Sequence, residues 1–293
     1  LKEMHLTPED IQLIQNDTKT CPDTGMAGAS RSLYMDGNAT IIAANKLLAA
    51  MRKEDGTLRT YDEMKAEGIE TKYLGRYETN TTPGLCRLDP NTGIGDPTPA
   101  FTYCLNLAEV EVDTKTGKTT VLKFTCVDFV GRIGNIDAVN GQAYSGIMHG
   151  IGFALKEDYA DVKKHANMFG AGTSYIKDVP DDINLIHIDG AISDGPFGSS
   201  GASEAFQASG HCAVLNGIYN ACGVRIHEIP ALPEKVKAGL DAIAKGEKPY
   251  EPKKYFLGSD MYEELENIKE NPVQVGTQSF YVSLDDPTAE RPF

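Results

Sequence analysis

The sequence predicts an α+β fold, on three observations. Two stretches of alternating apolar and polar residues flank a Lys-Thr-Gly-Lys turn, four further stretches carry apolar residues at helical spacing, and strands and helices do not alternate regularly. Mixed sheets with packed helices are the architecture this implies. Residues 1–246 read as one structural region. Residues 247–293 read as a C-terminal extension or arm, because Pro, Lys, Glu and Tyr alternate there without a clean period. No internal repeat is visible.

The first helix is expected over residues 36–53, where Ile41, Ile42, Leu47, Leu48 and Met51 recur at helical spacing and Asp36 or Asn38 is available as a cap. Ahead of it, residues 21–32 form a small-residue loop. Residues 54–75 are mixed and charged, and residues 79–96 are rich in Thr, Asn, Pro and Gly, which suits a long irregular connection. Residues 107–113 and 119–128 alternate on either side of the turn and predict a β-hairpin. A Gly-rich connection from Gly131 leads to a helix over 143–156, followed by a strand-like run over 183–189. A helix over 205–222 is closed by Gly223, and another over 233–245 is opened by Pro233 and closed by Gly246.

At 293 residues and 41% hydrophobic, the chain can bury one large core or two modest ones. Its net charge of −14 argues against general nucleic-acid binding, which needs a basic footprint, and against docking on an anionic membrane by charge. Small molecules and other protein chains are the expected partners. No run approaches the roughly 20 apolar residues of a membrane span. The N-terminus lacks the basic start and apolar stretch of a secretory signal, so a cytoplasmic protein is expected. Leu rather than Met at position 1 suggests a processed subunit or a fragment. Cys21, Cys86, Cys104, Cys126, Cys212 and Cys222 are scattered, with no CxxC pair and no His at zinc-ligand spacing. They write neither a structural zinc nor an iron–sulfur cluster, and most read as buried thiols.

Several motifs have ordinary readings. The Gly-Lys-Thr at 117–119 lacks the upstream Gly of a phosphate-binding loop, since that position is Val112, so it reads as a hairpin turn. The glycines of residues 146–152 miss dinucleotide-binding spacing and suit close helix packing instead. His149, His165, His187 and His211 form no metal-binding pattern, and the sequons at Asn16, Asn38 and Asn80 read as chance matches.

Two segments ask for more. Residues 25–32 lead into a helix with small residues and hydroxyls that can turn several backbone N–H groups toward one anionic ligand. Residues 194–204 end a run of small and turn-forming residues on an acidic one, Glu204, at a helix start. A capping carboxylate would account for Glu204 but not for the ten residues before it.

Four motifs in order, CPDTGMAGASRSLYMDGNA, GNIDAVNGQAYSGIMHGIGFAL, DGPFGSSGASEA and GVRIHEIPALPEKV, resemble the C-terminal part of the molybdenum-binding portion of molybdenum hydroxylases. That is the xanthine oxidase and aldehyde oxidoreductase family. The texture is nearest to bacterial aldehyde oxidoreductases, and the resemblance covers most of residues 10–245. The chain departs from the family in having Ser203 rather than Gly before the acidic residue, and Ala205-Phe206 after it.

The resemblance implies molybdenum held by molybdopterin, in a dinucleotide form such as molybdopterin cytosine dinucleotide, with no side chain ligating the metal. By the family's pattern, Gly28, Ala29, Ser30, Arg31 and Ser32 together with Gln142 would contact the cofactor. Thr79, Asn80 and Thr81 would assist, and Ser200 and Gly201 would line the approach to the metal. Glu204 would be the general base in hydroxylating an aldehyde or an electron-poor N-heteroaromatic carbon with water-derived oxygen. Implied partners are the rest of the molybdenum portion, an iron–sulfur subunit and, as a further candidate, a flavin subunit carrying FAD. The alternative is a non-catalytic binding or assembly module of the same fold, in which Glu204 only caps a helix.

Overall fold

Period-two patterning builds the centre of this computed structural model, which describes residues 2–15, 17–78, 87–88, 95–96, 100–161 and 163–247. After two single 3-10 turns (Lys2–Met4 and Pro8–Asp10), the first α-helices are α1 (Ser32–Met51) and the short α2 (Tyr61–Ala66). A two-residue antiparallel pair, β1 (Arg87–Leu88) and β2 (Gly95–Asp96), follows. The expected hairpin is formed by β3 (Tyr103–Val112) and β4 (Thr119–Phe129). Its pairing jumps from Glu109↔Lys123 to Val110↔Val121, so Leu122 bulges from the ladder. Asp113 organises the turn, its carboxylate accepting from the Lys115 N–H and the Thr116 hydroxyl, each at 2.8 Å. The Gly-Lys-Thr is therefore a hairpin turn, and Gly117 packs so closely that a Cβ there would sit 2.0 Å from the Pro233 carbonyl oxygen.

From β4 the chain crosses through α3 (Ile136–Leu155) to β5 (Asp182–His187), which pairs parallel to β4 and completes a three-stranded sheet in the order β3-β4-β5. One parallel pair inside an otherwise antiparallel arrangement keeps the fold in the α+β class. The chain ends, as described, in α4 (Ser203–Ala208), α5 (Gly210–Cys222) and α6 (Pro233–Ala244). Gly223 closes α5 at φ 77°, its N–H donating to the Tyr219 carbonyl at 2.8 Å, a left-handed cap that costs a glycine little. The arm expected over residues 247–293 lies, apart from Glu247, outside the described residues.

Three boundaries differ from expectation. Helix α1 begins at Ser32, so Asp36 and Asn38 lie inside it rather than at its cap. Helix α3 starts at Ile136, where Asn135 caps it by accepting from the Ala138 N–H at 3.0 Å; polar Asn140 and Gln142 had masked its first turns. The helix expected over 205–222 is two helices, broken at Ser209. Ser-Gly at 209–210 is a pair at which helices bend. The break is held by Asn106, whose side-chain amide donates to the Ser209 hydroxyl at 2.9 Å.

The core sits between the sheet and the helices. Phe124, Cys126 and Val130 meet Ala143, Ile147 and Ile151 of α3, Phe206 of α4 and Val214 of α5. Burying Phe206 fully stabilises by about 1.5–3 kcal/mol. A second cluster of Ile218, Val224, Ala231 and Val236 seats α6. Glycines let the helices close in: a Cβ on Gly146 would lie 2.6 Å from that of Phe206, and one on Gly150 would lie 2.9 Å from the Gly210 Cα. The opposite sheet face exposes Tyr103, Leu105 and Leu107. Among the described residues no helix is long and apolar enough to cross a membrane.

Candidate functional site

The two small-residue segments singled out in the sequence meet. The segment over 194–200 is fixed first to the exit of β4. Ser200 N–H donates to the Val130 carbonyl at 3.1 Å, Arg132 N–H to the Gly198 carbonyl at 2.8 Å, and the Ser199 hydroxyl to the Arg132 carbonyl at 2.6 Å. On its other side it is fixed to α1. A Cβ on Gly37 would sit 2.6 Å from Pro196 Cγ, and the Asn38 side-chain amide donates to the Asp194 carbonyl at 3.0 Å. Three backbone segments converge here, so the buried positions Pro196, Gly198, Ser199 and Ser200 have no room for bulky side chains, while Phe197 projects outward.

Gly201 then interlocks with the loop over 25–32, because a Cβ at Gly201 would stand 1.8 Å from the Ser30 carbonyl oxygen. Immediately after, the Glu204 N–H donates to the Ser30 hydroxyl at 2.9 Å. Ala29 and Ser30 hold left-handed φ values of 52° and 53°. Such values are uncommon for residues with a Cβ and cost of order 1–3 kcal/mol each. Their backbone N–H groups meet no acceptor among the described residues. Arg31 is drawn back onto its own loop, its guanidinium donating to the Met26 carbonyl at 2.7 and 3.2 Å. Ser32 opens α1.

Glu204 lies in the first turn of α4, exposed, and its carboxylate accepts no hydrogen bond and makes no ion pair among the described residues. Ser200 is buried and Gly201 partly so. Gln142 is exposed on α3, one turn before Gly146, the residue that meets Phe206 of α4. Thr79, Asn80 and Thr81 lie outside the described residues. The chain leading toward them runs beside the first turn of α1, where Tyr77 packs edge-on to Tyr34 with ring centroids 6.0 Å apart.

Sequence reasoning missed Gly37, Asn38 and Pro196 as the contact that orients the loop. A glycine inside a helix, which costs about 1 kcal/mol relative to Ala, was the available signal of close approach. It also missed Phe197, held at φ 53° and 80% exposed on the same loop. Of the four non-glycine residues with positive φ among those described, Ala29, Ser30 and Phe197 all belong to these two loops.

A polar network joins β4, β5 and α3. Asp128 Oδ2 lies 2.7 Å from His187 Nδ1, and His187 Nε2 lies 2.8 Å from Asn140 Oδ1. Burial pushes the Asp128 carboxyl above its ordinary range, opposed by the His187 hydrogen bond and charge. Among the described residues no group of three His, Cys, Asp or Glu side chains is placed to hold a metal ion.

Comparison with known proteins bears on this arrangement. The family model described as the molybdopterin cofactor-binding domain matches residues 1–180. The chain is 42% identical over 242 residues to the aldehyde oxidoreductase of Megalodesulfovibrio gigas, covering 83% of this chain and 26% of that protein. It is 24% identical over 276 residues to the 6-hydroxypseudooxynicotine dehydrogenase complex subunit gamma of Paenarthrobacter nicotinovorans, covering 84% of this chain and 34% of that one. Among solved structures it resembles the aldehyde oxidoreductase from Desulfovibrio desulfuricans, with a TM-score of 0.75 and 45% identity over 80% of this chain and 26% of that chain. The chain thus spans about a quarter to a third of the length of these proteins.

Proposed function

Because this chain belongs to the molybdopterin cofactor-binding domain family, we propose that it forms one wall of the cofactor site of a molybdenum hydroxylase and supplies Glu204 as the general base. The observation that carries the reading is the joint between the loops. The Glu204 carboxylate, unengaged among the described residues, is anchored through its own N–H to Ser30, in the loop where the Ala29 and Ser30 N–H groups meet no described acceptor. Those donors fit an anionic group, so the loop from Gly28 to Ser32 is where the molybdopterin would be held, with Gln142 and the segment of residues 79–81 as further contacts. A dinucleotide form such as molybdopterin cytosine dinucleotide is the species we assign.

When bound, the cofactor supplies the two-electron oxidation of the substrate carbon. The chain's own part is proton handling and positioning. An aldehyde carbon gains a water-derived oxygen and gives up its hydrogen as a proton and an electron pair. Glu204 takes the proton released as that oxygen attacks. An exposed carboxylate that caps no helix and pairs with no cation among the described residues is free to accept it. Ser200 and Gly201 hold the turn that delivers Glu204, and the left-handed Ser30 fixes its distance from the cofactor loop. The similarity to aldehyde oxidoreductases favours an aldehyde substrate over an N-heteroaromatic one. The remaining molybdenum portion and an iron–sulfur partner would complete the electron path, with a flavin subunit beyond it.

The test is Glu204→Gln in the enzyme assembled with its native partners. Molybdenum content should stay at the parent level while aldehyde turnover falls by about 10²–10⁴-fold, the contribution of a general base. Near-normal turnover with full molybdenum would remove Glu204 from the chemistry and leave a cofactor-binding module.

A further inference from the structure

Cys104 and Cys126 face each other inside the hairpin. Cys104 pairs in register with Asp128 and Cys126 with Asn106, so the two cysteines sit on the diagonal between adjacent strand pairs. Their Sγ atoms are 3.4 Å apart. Both point to the helix-facing side, but their environments differ. Cys126, 0% exposed, belongs to the core, whereas Cys104 packs at its margin and is partly exposed, on a strand that forms the edge of the sheet. A disulfide holds its sulfurs at about 2.05 Å, so closure asks for a little over an ångström of approach. An edge strand, hydrogen-bonded on one side only, is the element best able to give it.

We propose that Cys104 and Cys126 are a redox modification site, in which a small disulfide of the glutathione class oxidises the pair to an internal disulfide. Cys104, the accessible thiol, attacks one sulfur of the small disulfide as its thiolate. That S–S bond breaks, one small thiolate leaves and takes up the proton Cys104 lost, and a mixed disulfide remains on Cys104. Cys126 then loses its proton and attacks Cys104 Sγ, expelling the second small thiol. Two protein thiols are oxidised and one small disulfide is reduced to two thiols. The order follows from access. Charge agrees with it, since the hydrogen bond between the two sulfurs holds the Cys104 thiol below the usual thiol range, while that bond and burial push Cys126 up.

The site is placed to be felt elsewhere. Asn106, two residues after Cys104 on β3, anchors the break between α4 and α5 through Ser209, and α4 carries Glu204. The chemistry at the thiols stands whether or not Glu204 is a base.

The experiment treats the reduced chain with oxidised glutathione, alkylates the remaining thiols, and maps every cysteine by mass spectrometry. The expected product is a peptide cross-linked between Cys104 and Cys126, lighter than the dithiol by two hydrogen masses and released by dithiothreitol. Exposed Cys212 is the internal control and should stop at a glutathione adduct. In Cys126→Ala the Cys104 adduct should persist, and in Cys104→Ser Cys126 should remain a free thiol. Two unmodified thiols, or a stable glutathione adduct on Cys104 in the unsubstituted chain, would overturn the proposal.

Discussion

The backbone N–H of Glu204 donates to the side-chain oxygen of Ser30 at 2.9 Å, joining residues 174 positions apart. The same two loops are pressed together at Gly201, whose hydrogen lies where a Cβ would strike the Ser30 carbonyl. One contact is therefore a tether and the other a stop, and between them they fix how far the carboxylate-bearing turn stands from the loop before α1.

Ser30→Ala removes the tether and keeps the backbone strain. The loss should be about 0.5–1.5 kcal/mol, the usual net worth of one hydrogen bond. Ser30→Gly removes the same bond but relaxes the left-handed φ of 53°, which costs a residue with a Cβ about 1–2 kcal/mol. Urea unfolding of the chain should place Ser30→Ala below the parent and Ser30→Gly close to the parent, since the lost bond and the relieved strain are of similar size. An Ala variant as stable as the parent would mean that the bond does not hold the loops.

Helix α3 offers two glycines with opposite expectations. A Cβ at Gly150 would lie 2.9 and 3.1 Å from backbone atoms of Gly210, which cannot swing aside, whereas one at Gly141 meets nothing within 4 Å. Gly150→Ala should cost about 1–3 kcal/mol of overpacking, offset in part by the roughly 1 kcal/mol that Ala gains in a helix. Gly141→Ala keeps that gain without the clash. Thermal melts of the two variants should move in opposite directions, and a Gly150→Ala melt at or above the parent's would show that α5 yields to α3.

These glycines also show what the sequence could and could not convey. The hairpin was legible because alternation is local, and so were the Gly223 and Gly246 ends, because helix closure is written within a few residues. Helix α2 was not anticipated, although Thr60 and Glu63 spell a capping box: the Glu63 N–H donates to the Thr60 hydroxyl at 3.2 Å and the Thr60 N–H to the Glu63 carboxylate at 2.7 Å. The break at Ser209 depends on Asn106, 103 positions away, and no helical period announces it. The site divides the same way. Its two loops stood out by composition, but their meeting through Ser30 and Gly201, and the seat of Pro196 on Gly37, are long-range facts. The Asp128–His187 pair was invisible for the same reason: strand register brings the two together, and Asp128 read only as the end of an alternating run.

That pair gives a pH dependence whose sign can be worked out. Asp128 is 1% exposed, and its Oδ1 has no hydrogen-bond partner among the described residues, so burial outweighs the His187 contact and lifts the carboxyl above its ordinary 3.8. A carboxyl raised in the folded state binds its proton more tightly there than in the unfolded chain. Between 3.8 and the raised value the folded state carries more protons, and stability falls as pH rises. The contribution is fully present below 3.8 and lost as pH climbs through the folded value. Asp128→Asn cannot titrate and lacks this component. Urea midpoints measured for parent and variant across acid to neutral pH should therefore show the parent's relative stability greatest at the acid end and shrinking upward. A difference that grew with pH would mean that His187 holds Asp128 as an anion, and that the ion pair rather than burial governs this part of the core.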